Sequence, residues 1–323
     1  SLGLAVSELP LNSATPWSLA HLCFRLARTL TRFKPDLVNC HRGESFIVLG
    51  LLKGLYRDFK LVRTRGDQRL PKDNRINRWL HTRVADAVVA TNARMQTWFT
   101  RHMNVPEDRV HLIPGGVDTG AFRFDDSGRD RIRKEWGLDE HHFALGLLGR
   151  FDRVKGQKEL IQAVARLVHE RGLGQVRLIL LGFATATSQE EVETWIRDCG
   201  IEDQSTITGK RTDLAACISA LDLGVVPSLW SEAIARAALE IMACKVPIIG
   251  SRVGVMPDLL SDAALLDPGD VGQLSDRLQA CAQDPGLRQR LAREQSERMQ
   301  DLSHHHFLHQ STELFQSLMQ ASG

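Results

Sequence analysis

The sequence predicts an α/β protein built from two doubly wound parallel sheets, and three observations carry that prediction. Short apolar runs alternate with segments of helical period along most of the chain. The runs are continuously apolar, as expected of strands covered on both faces. The length, 323 residues, suits two such domains. The strand candidates are Asp36–Cys40, Lys60–Thr64, Val84–Thr91, Phe143–Leu148, Val176–Gly182, Leu221–Pro227, Val246–Gly250 and Ala263–Leu266. Helical period marks Trp17–Phe33, Arg75–Arg83, Ala93–His102, Gln157–Arg171, Gln189–Cys199, Ala233–Cys244 and Val271–Gln283. Parallel strands joined through helices cross over right-handedly, which gives doubly wound units.

Pro114, Gly115 and Gly116 break the periodicity, and a charged stretch, Asp125–Glu135, follows before the next strand. The predicted division is an N-terminal domain over residues 1–122 and a C-terminal domain over 123–303. A helical tail, 304–323, crosses back to the first domain. That first domain looks incomplete. It opens at Leu4–Pro10, its first clear helix runs directly to the strand at Asp36, and the usual strand, glycine turn and helix do not open it. The strand Asp36–Cys40 is therefore expected to border a gap, or to be covered by another chain.

Composition narrows the class. The chain is 43% hydrophobic and 25% charged, ordinary for a globular protein with a real core. It has no run of 18 apolar residues and no basic leader at its start, so a cytoplasmic protein is expected. The six cysteines lie apart with no CxxC pair, which reads as reduced thiols rather than disulfides or zinc ligands. The net charge of +2 conceals an asymmetry: residues 1–135 hold 23 basic against 14 acidic side chains, and the remainder 18 against 25. A basic first half points to an anionic partner. Arg63, Arg65, Arg69, Lys72, Arg75 and Arg78 are the densest part of it. They mark a surface that an anionic partner, such as a membrane face, would meet, unless they pair with acids of the second domain.

The chemistry concentrates in the second half. Glu232 and Glu240 are eight residues apart in Glu-Ala-Ile-Ala-Arg-Ala-Ala-Leu-Glu. A helix starting near Ala233 would put Glu232 at its N-cap and Glu240 two turns deeper on a similar azimuth. Carboxylates accept hydrogen bonds from paired sugar hydroxyls, and the helix start offers free N–H groups to a diphosphate. Read alone, two glutamates on a helix are surface residues. Gly149-Arg150 and Lys155-Gly156 follow the strand Phe143–Leu148. Arg supplies a planar fork of donors and Lys a point charge, a natural clamp for a diphosphate.

These stretches resemble the retaining family-four glycosyltransferases, the group 1 glycosyl transferases. The match runs through Val226-Pro-Ser-Leu-Trp-Ser-Glu232, Leu239-Glu-Ile-Met-Ala-Cys-Lys-Val-Pro-Ile-Ile-Gly-Ser251, and Gly254 to Leu259. Gly149-Arg150 with Lys155-Gly156 is similar to the family's G-R-x4-K-G signature. The resemblance implies a GT-B fold, two Rossmann-like domains facing a cleft, with Gly149, Arg150 and Lys155 on the donor diphosphate. It places Glu232 on the sugar and Glu240 on the ribose. Thr208-Gly209-Lys210-Arg211 resembles the turn that reads the nucleotide base, and Ile113-Pro-Gly-Gly-Val-Asp118 the family's I-P-N-G-V-D. Pro35-Asp-Leu-Val-Asn-Cys-His41 is similar to the strand whose last histidine lies near the donor sugar, so His41 joins the candidate catalytic residues with Arg150, Lys155 and Glu232.

Departures from the family pattern are specific. The glycine-aromatic-glycine loop after the first glutamate is Ala233-Ile234-Ala235, with Arg236 where an apolar residue is common; all four are candidate donor contacts. The family's G-x-G is Gly182-Phe-Ala184. His304, His305, His306 and His309 fall in the tail, apart from these motifs, and no D-x-D is evident; no metal ion or other cofactor is expected. The implied activity is transfer of a sugar from a nucleotide-diphosphate sugar to a glycan or glycolipid with retention of configuration, as in cell-envelope polysaccharide or lipopolysaccharide assembly. The implied place is the cytoplasm, peripheral on the inner membrane face, with no nucleic acid partner. A nucleotide-sugar epimerase of the same fold and a non-catalytic nucleotide-sugar binder are the alternatives.

Overall fold

The computed structural model describes residues 16–55, 59–66 and 69–320; the run Leu4–Pro10 lies outside them. The chain forms two compact units, one of residues 1–114 with 309–323, the other of 115–308. The division falls after Pro114, ahead of the boundary expected at 122.

In the first unit the order is α1 (Pro16–Phe33), β1 (Leu37–Cys40), α2 (Gly43–Leu55), β2 (Lys60–Arg65), α3 (Arg75–Trp79), β3 (Ala87–Ala90), α4 (Ala93–Thr97) and β4 (Val110–Leu112). Helices α3 and α4 each run on into a π-helical turn, Leu80–Val84 and Trp98–His102. The four strands are parallel in the order β1-β2-β3-β4. Among the described residues β1 pairs only with β2, so it is the sheet edge. Helix α1 buries Leu22, Leu26 and Leu30, four residues apart, which is the helical stripe its period predicts.

The second unit carries α5 (Asp126–Glu135), β5 (Phe143–Leu148), α6 (Gln157–His169), β6 (Val176–Leu181), α7 (Gln189–Asp198), β7 (Ser205–Ile207), α8 (Leu214–Ser219), β8 (Leu223–Val226), α9 (Arg236–Ala243), β9 (Ile248–Ser251), α10 (Met256–Leu259), β10 (Leu265–Leu266), α11 (Val271–Gln283) and α12 (Pro285–Arg298). Its six parallel strands run β10-β9-β8-β5-β6-β7. The order turns in opposite directions from the β5/β8 pair, so the topological switch point lies there, outside the carboxyl ends of β5 and β8. The last helix, α13 (His304–Gln320), spans the division, and its Leu314, Phe315 and Leu318 pack with Val62, Val89 and Ile113.

The charged stretch and Arg63 of the basic run both take fixed places in the fold, and for Arg63 this corrects the expectation. The charged stretch Asp125–Glu135 forms α5 with its cap, where Asp125 Oδ1 accepts from Gly128 N at 2.9 Å. Arg129 and Arg133 of that helix bind Asp222 at 2.8 and 3.1 Å. Arg63 is not a surface cation. It is 1% exposed in β2, donates from Nη1 to Cys40 O at 2.9 Å, and lies over the Phe46 ring.

Candidate functional site: the switch point of the second sheet

The loops that follow β5 and β8 bring the two sequence motifs together. After β5 come Gly149, Arg150 and a turn that ends at Lys155-Gly156; after β8 come Pro227, Ser228 and Glu232. Lys155 Nζ lies 2.6 Å from Glu232 Oε1. Ser228 Oγ lies 2.5 Å from that same oxygen. Glu232 is 6% exposed, so this carboxylate is held inside the protein by two donors. Its backbone is pinned as well, with Val255 N donating to Glu232 O at 2.9 Å, and its loop is tied to the β5 loop where Leu229 N donates to Val154 O at 2.8 Å.

Gly156 makes the convergence sterically possible. Its φ is +73°, and a Cβ there would stand 2.1 Å from Pro227 O. The β5 loop therefore touches the β8 loop backbone to backbone, which only glycine allows. Gln157, the first residue of α6, donates from its side-chain nitrogen to Arg150 O at 2.8 Å. Arg150 reaches Asp152, Nη2 to Oδ2, at 2.9 Å, and is half exposed. Asp152 in turn accepts from Val154 N through Oδ1 at 3.1 Å, so one carboxylate shapes the turn and orients the arginine.

The helix after β8 begins later than the sequence predicts. It starts at Arg236, not near Ala233, and its N-cap is Ala235 at φ 53°, ψ 49°. Glu232 is thus a loop residue and Glu240 a helical one. The cause is the left-handed Ala235, which no helical period reveals. Alanine here holds a left-handed conformation that a glycine would adopt more readily. Ile234 is exposed and Arg236 is exposed, while Ala233 is half-buried. Helices α6 and α9 both begin without a side-chain cap, as do the short α8 and α10, whereas α5, α7, α11 and α12 each have one. Two helix starts at the switch point thus keep backbone N–H groups available to an anion.

Glu240 is half-buried on α9. Burial pushes its carboxyl above the ordinary glutamate range, and Arg236 pulls the other way. Gly209 forms the left-handed turn after β7, at φ +66°. Beside it, Lys210 Nζ stands 4.4 Å from the centre of the Phe183 ring, which is 39% exposed. Arg211 is structural: it pairs with Glu135 at 2.7 Å and Asp213 at 2.9 Å. His41 directly follows β1 in the first unit and is exposed; the surrounding protein, and then Arg63, hold its imidazole below the usual histidine range. Two residues at the switch point, Ser228 and Asp152, and one after β6, Phe183, are not among the site residues that the sequence predicts. Ser228 was visible only as the residue four before Glu232. Among the described residues no group of three or more His, Cys, Asp or Glu is placed to hold a metal ion.

Family comparison bears on this site directly. Residues 128–298, more than half the chain and including both loops, match the model described as glycosyl transferases group 1. The chain belongs to this family. Residues 4–121 match a second model, glycosyltransferase family 4. Among curated relatives of this group 1 chain, the D-inositol 3-phosphate glycosyltransferase of Pseudarthrobacter chlorophenolicus is 27% identical over 241 residues, 73% of this chain and 57% of that protein. The protein of the same name from Xylanimonas cellulosilytica is 31% identical over 220 residues, 65% of this chain and 51% of that protein. The group 1 chain thus spans little more than half the length of these relatives. Anabaena HepE, solved in complex with UDP, superposes with a TM-score of 0.81 at 23% identity, over 92% of this chain and 82% of that one. The two parallel-sheet units are those of the GT-B fold.

Proposed function

We propose that the chain is a glycosyltransferase that takes a sugar from a nucleotide-diphosphate donor and passes it on with retention of configuration. The observation that carries this reading is the Lys155–Glu232 pair, 2.6 Å apart at the switch point where open parallel sheets receive ligands. Arg150 and Lys155 would take the diphosphate and stabilise the charge that grows on it as it leaves. Glu232 would hold the sugar hydroxyls and Glu240 the ribose, with Gly149, the Ala233–Arg236 loop and the Gly209-Lys210 turn completing the donor contacts. Retention fits front-face displacement, in which the departing diphosphate receives the acceptor proton. His41 would orient the sugar or the acceptor. The required cations come from side chains, so no metal ion is assigned a role. UDP is the first nucleotide to test, because HepE was solved with it.

The acceptor is read as anionic. The matched relatives are named for D-inositol 3-phosphate, and the first half of the chain carries the basic excess. The acceptor stripe is smaller than the sequence predicts, since Arg63 is buried and Arg78 is paired with Asp73 at 2.7 Å. Arg69, Lys72 and Arg75 remain on the surface. Helix α1 contains no acid and exposes Trp17, Phe24 and Phe33 beside Arg28 and Arg32, which suits an anionic glycolipid at a membrane face. No described helix is long and apolar enough to cross a membrane.

A thermal-shift panel of UDP, GDP, ADP and their sugars tests the donor, because a ligand that binds the folded state raises the melting temperature by mass action. One nucleotide family should stabilise the chain. A flat response to all three would remove the reading. The anomeric configuration of the product by NMR tests retention, and co-sedimentation with anionic against neutral vesicles tests the acceptor surface.

A further inference from the structure

The carboxylate of Glu232 is held asymmetrically. Both of its side-chain donors, Lys155 Nζ and Ser228 Oγ, converge on Oε1, at 2.6 and 2.5 Å. Among the described residues nothing hydrogen-bonds Oε2. Ser228 has no exposed surface at all, and it sits directly after Pro227, whose carbonyl oxygen abuts Gly156. Its position is therefore fixed by the same backbone contact that joins the two loops. Lys155 is different: its side chain is 23% exposed and ends in a flexible stem, so it can turn to another anion.

We propose that Ser228 is the positioning residue of the donor site. It holds Glu232 Oε1 so that Oε2 faces the sugar, and it keeps that hold when Lys155 leaves for the diphosphate. The inference rests on the donor reading above. A diphosphate carries more negative charge than one carboxylate, so it draws Lys155 away from Glu232. Without Ser228, Glu232 would then lose both of its donors and the single geometry they impose. With Ser228 present, one short hydrogen bond to the charged group remains. The lysine–glutamate pair thus occupies the site in the absence of donor, and the serine retains the glutamate once the donor has taken the lysine.

The test compares wild type, Ser228→Ala and Ser228→Thr by titration calorimetry with two probes, UDP and UDP-glucose, alongside steady-state kinetics with UDP-glucose. A hydrogen bond to a charged group corresponds to about ten- to a hundred-fold in binding. Ser228→Ala should bind UDP and UDP-glucose each about ten-fold or more weakly, because drawing Lys155 away then leaves the buried Glu232 without a donor, and should lose kcat, while the melting temperature of the donor-free protein stays close to wild type because Lys155 still holds Glu232. Ser228→Thr, which keeps the hydroxyl, should recover most of both. A merely structural serine would lower the melting temperature of the donor-free protein and leave kcat at saturating UDP-glucose unchanged. That result, or unchanged UDP-glucose binding in Ser228→Ala, overturns the positioning role and leaves the donor reading standing. Wild-type protein that binds neither probe overturns both.

Discussion

Replacing Gly156 by alanine separates two costs that the structure shows at one position. The first is conformational: φ is +73°, and an L residue in the left-handed region costs roughly 1–2 kcal/mol. The second is steric: the new Cβ would lie 2.1 Å from Pro227 O and 2.9 Å from its carbonyl carbon, both backbone atoms that cannot rotate away. Gly137→Ala is the internal control. It has φ +65° with nothing within 4 Å, so it carries the first cost alone. At roughly 2–4 °C per kcal/mol for a domain of this size, Gly137→Ala should lower the melting temperature by only a few degrees. Gly156→Ala should lower it by clearly more, because the β5 and β8 loops must separate. It should also weaken nucleotide binding, since Lys155 and Glu232 sit on those loops, whereas Gly137→Ala should bind normally. Differential scanning calorimetry with UDP titration on both variants measures this. Equal melting temperatures for the two variants, with UDP affinity retained in Gly156→Ala, would refute the claim that this contact assembles the site.

Three further outcomes are expected. Arg150→Ala should slow sugar transfer a hundred-fold or more, on the scale of ~3 kcal/mol for one electrostatic donor, with little change in melting temperature; a UDP-release assay checks it, and near-normal release would free Arg150 of that role. Glu240→Ala should weaken binding of UDP itself while Glu232→Ala spares UDP and weakens UDP-sugar, and calorimetry showing the reverse would exchange their positions. His81 makes the first unit acid-sensitive: it is 2% exposed and burial lowers its pKa from 6.5 to about 4, so the folded state favours the neutral ring. The stability that this contributes is complete above about pH 6.5 and is lost as pH falls toward 4, up to about 3 kcal/mol. Amide exchange in β2 and β3, corrected for intrinsic rates, should show that loss in wild type and much less of it in His81→Phe, whose ring joins Phe46 and Phe99.

What the sequence revealed and concealed has physical causes. The continuous apolar runs located eight of the strands because parallel strands buried on both faces carry that signature. The short strands β4 and β7 are only three residues long and partly exposed, so no run marked them. Helix α2 is apolar nearly all round, which erases the helical period. Helix α5 is polar nearly all round, and its arginines work inward on Asp222. The donor motifs were legible as ordered residue types, and their meeting at the switch point follows from the strand order. The shape of the loop between Glu232 and Arg236 was not, since one left-handed alanine decides it. The buried place of Arg63 was hidden for a related reason. A charge count treats every arginine as solvated, while this one satisfies a strand-end carbonyl.

The central claim is that the β5 and β8 loops form one diphosphate site held by Lys155. Calorimetric titration of UDP and of uridine, which has the base and ribose but no diphosphate, into wild type and Lys155→Ala tests it most directly. The account predicts that UDP binding falls by ten-fold or more in the variant, while the weak binding of uridine is the same in both proteins. Equal loss for the two ligands, or UDP affinity unchanged by Lys155→Ala, would contradict it.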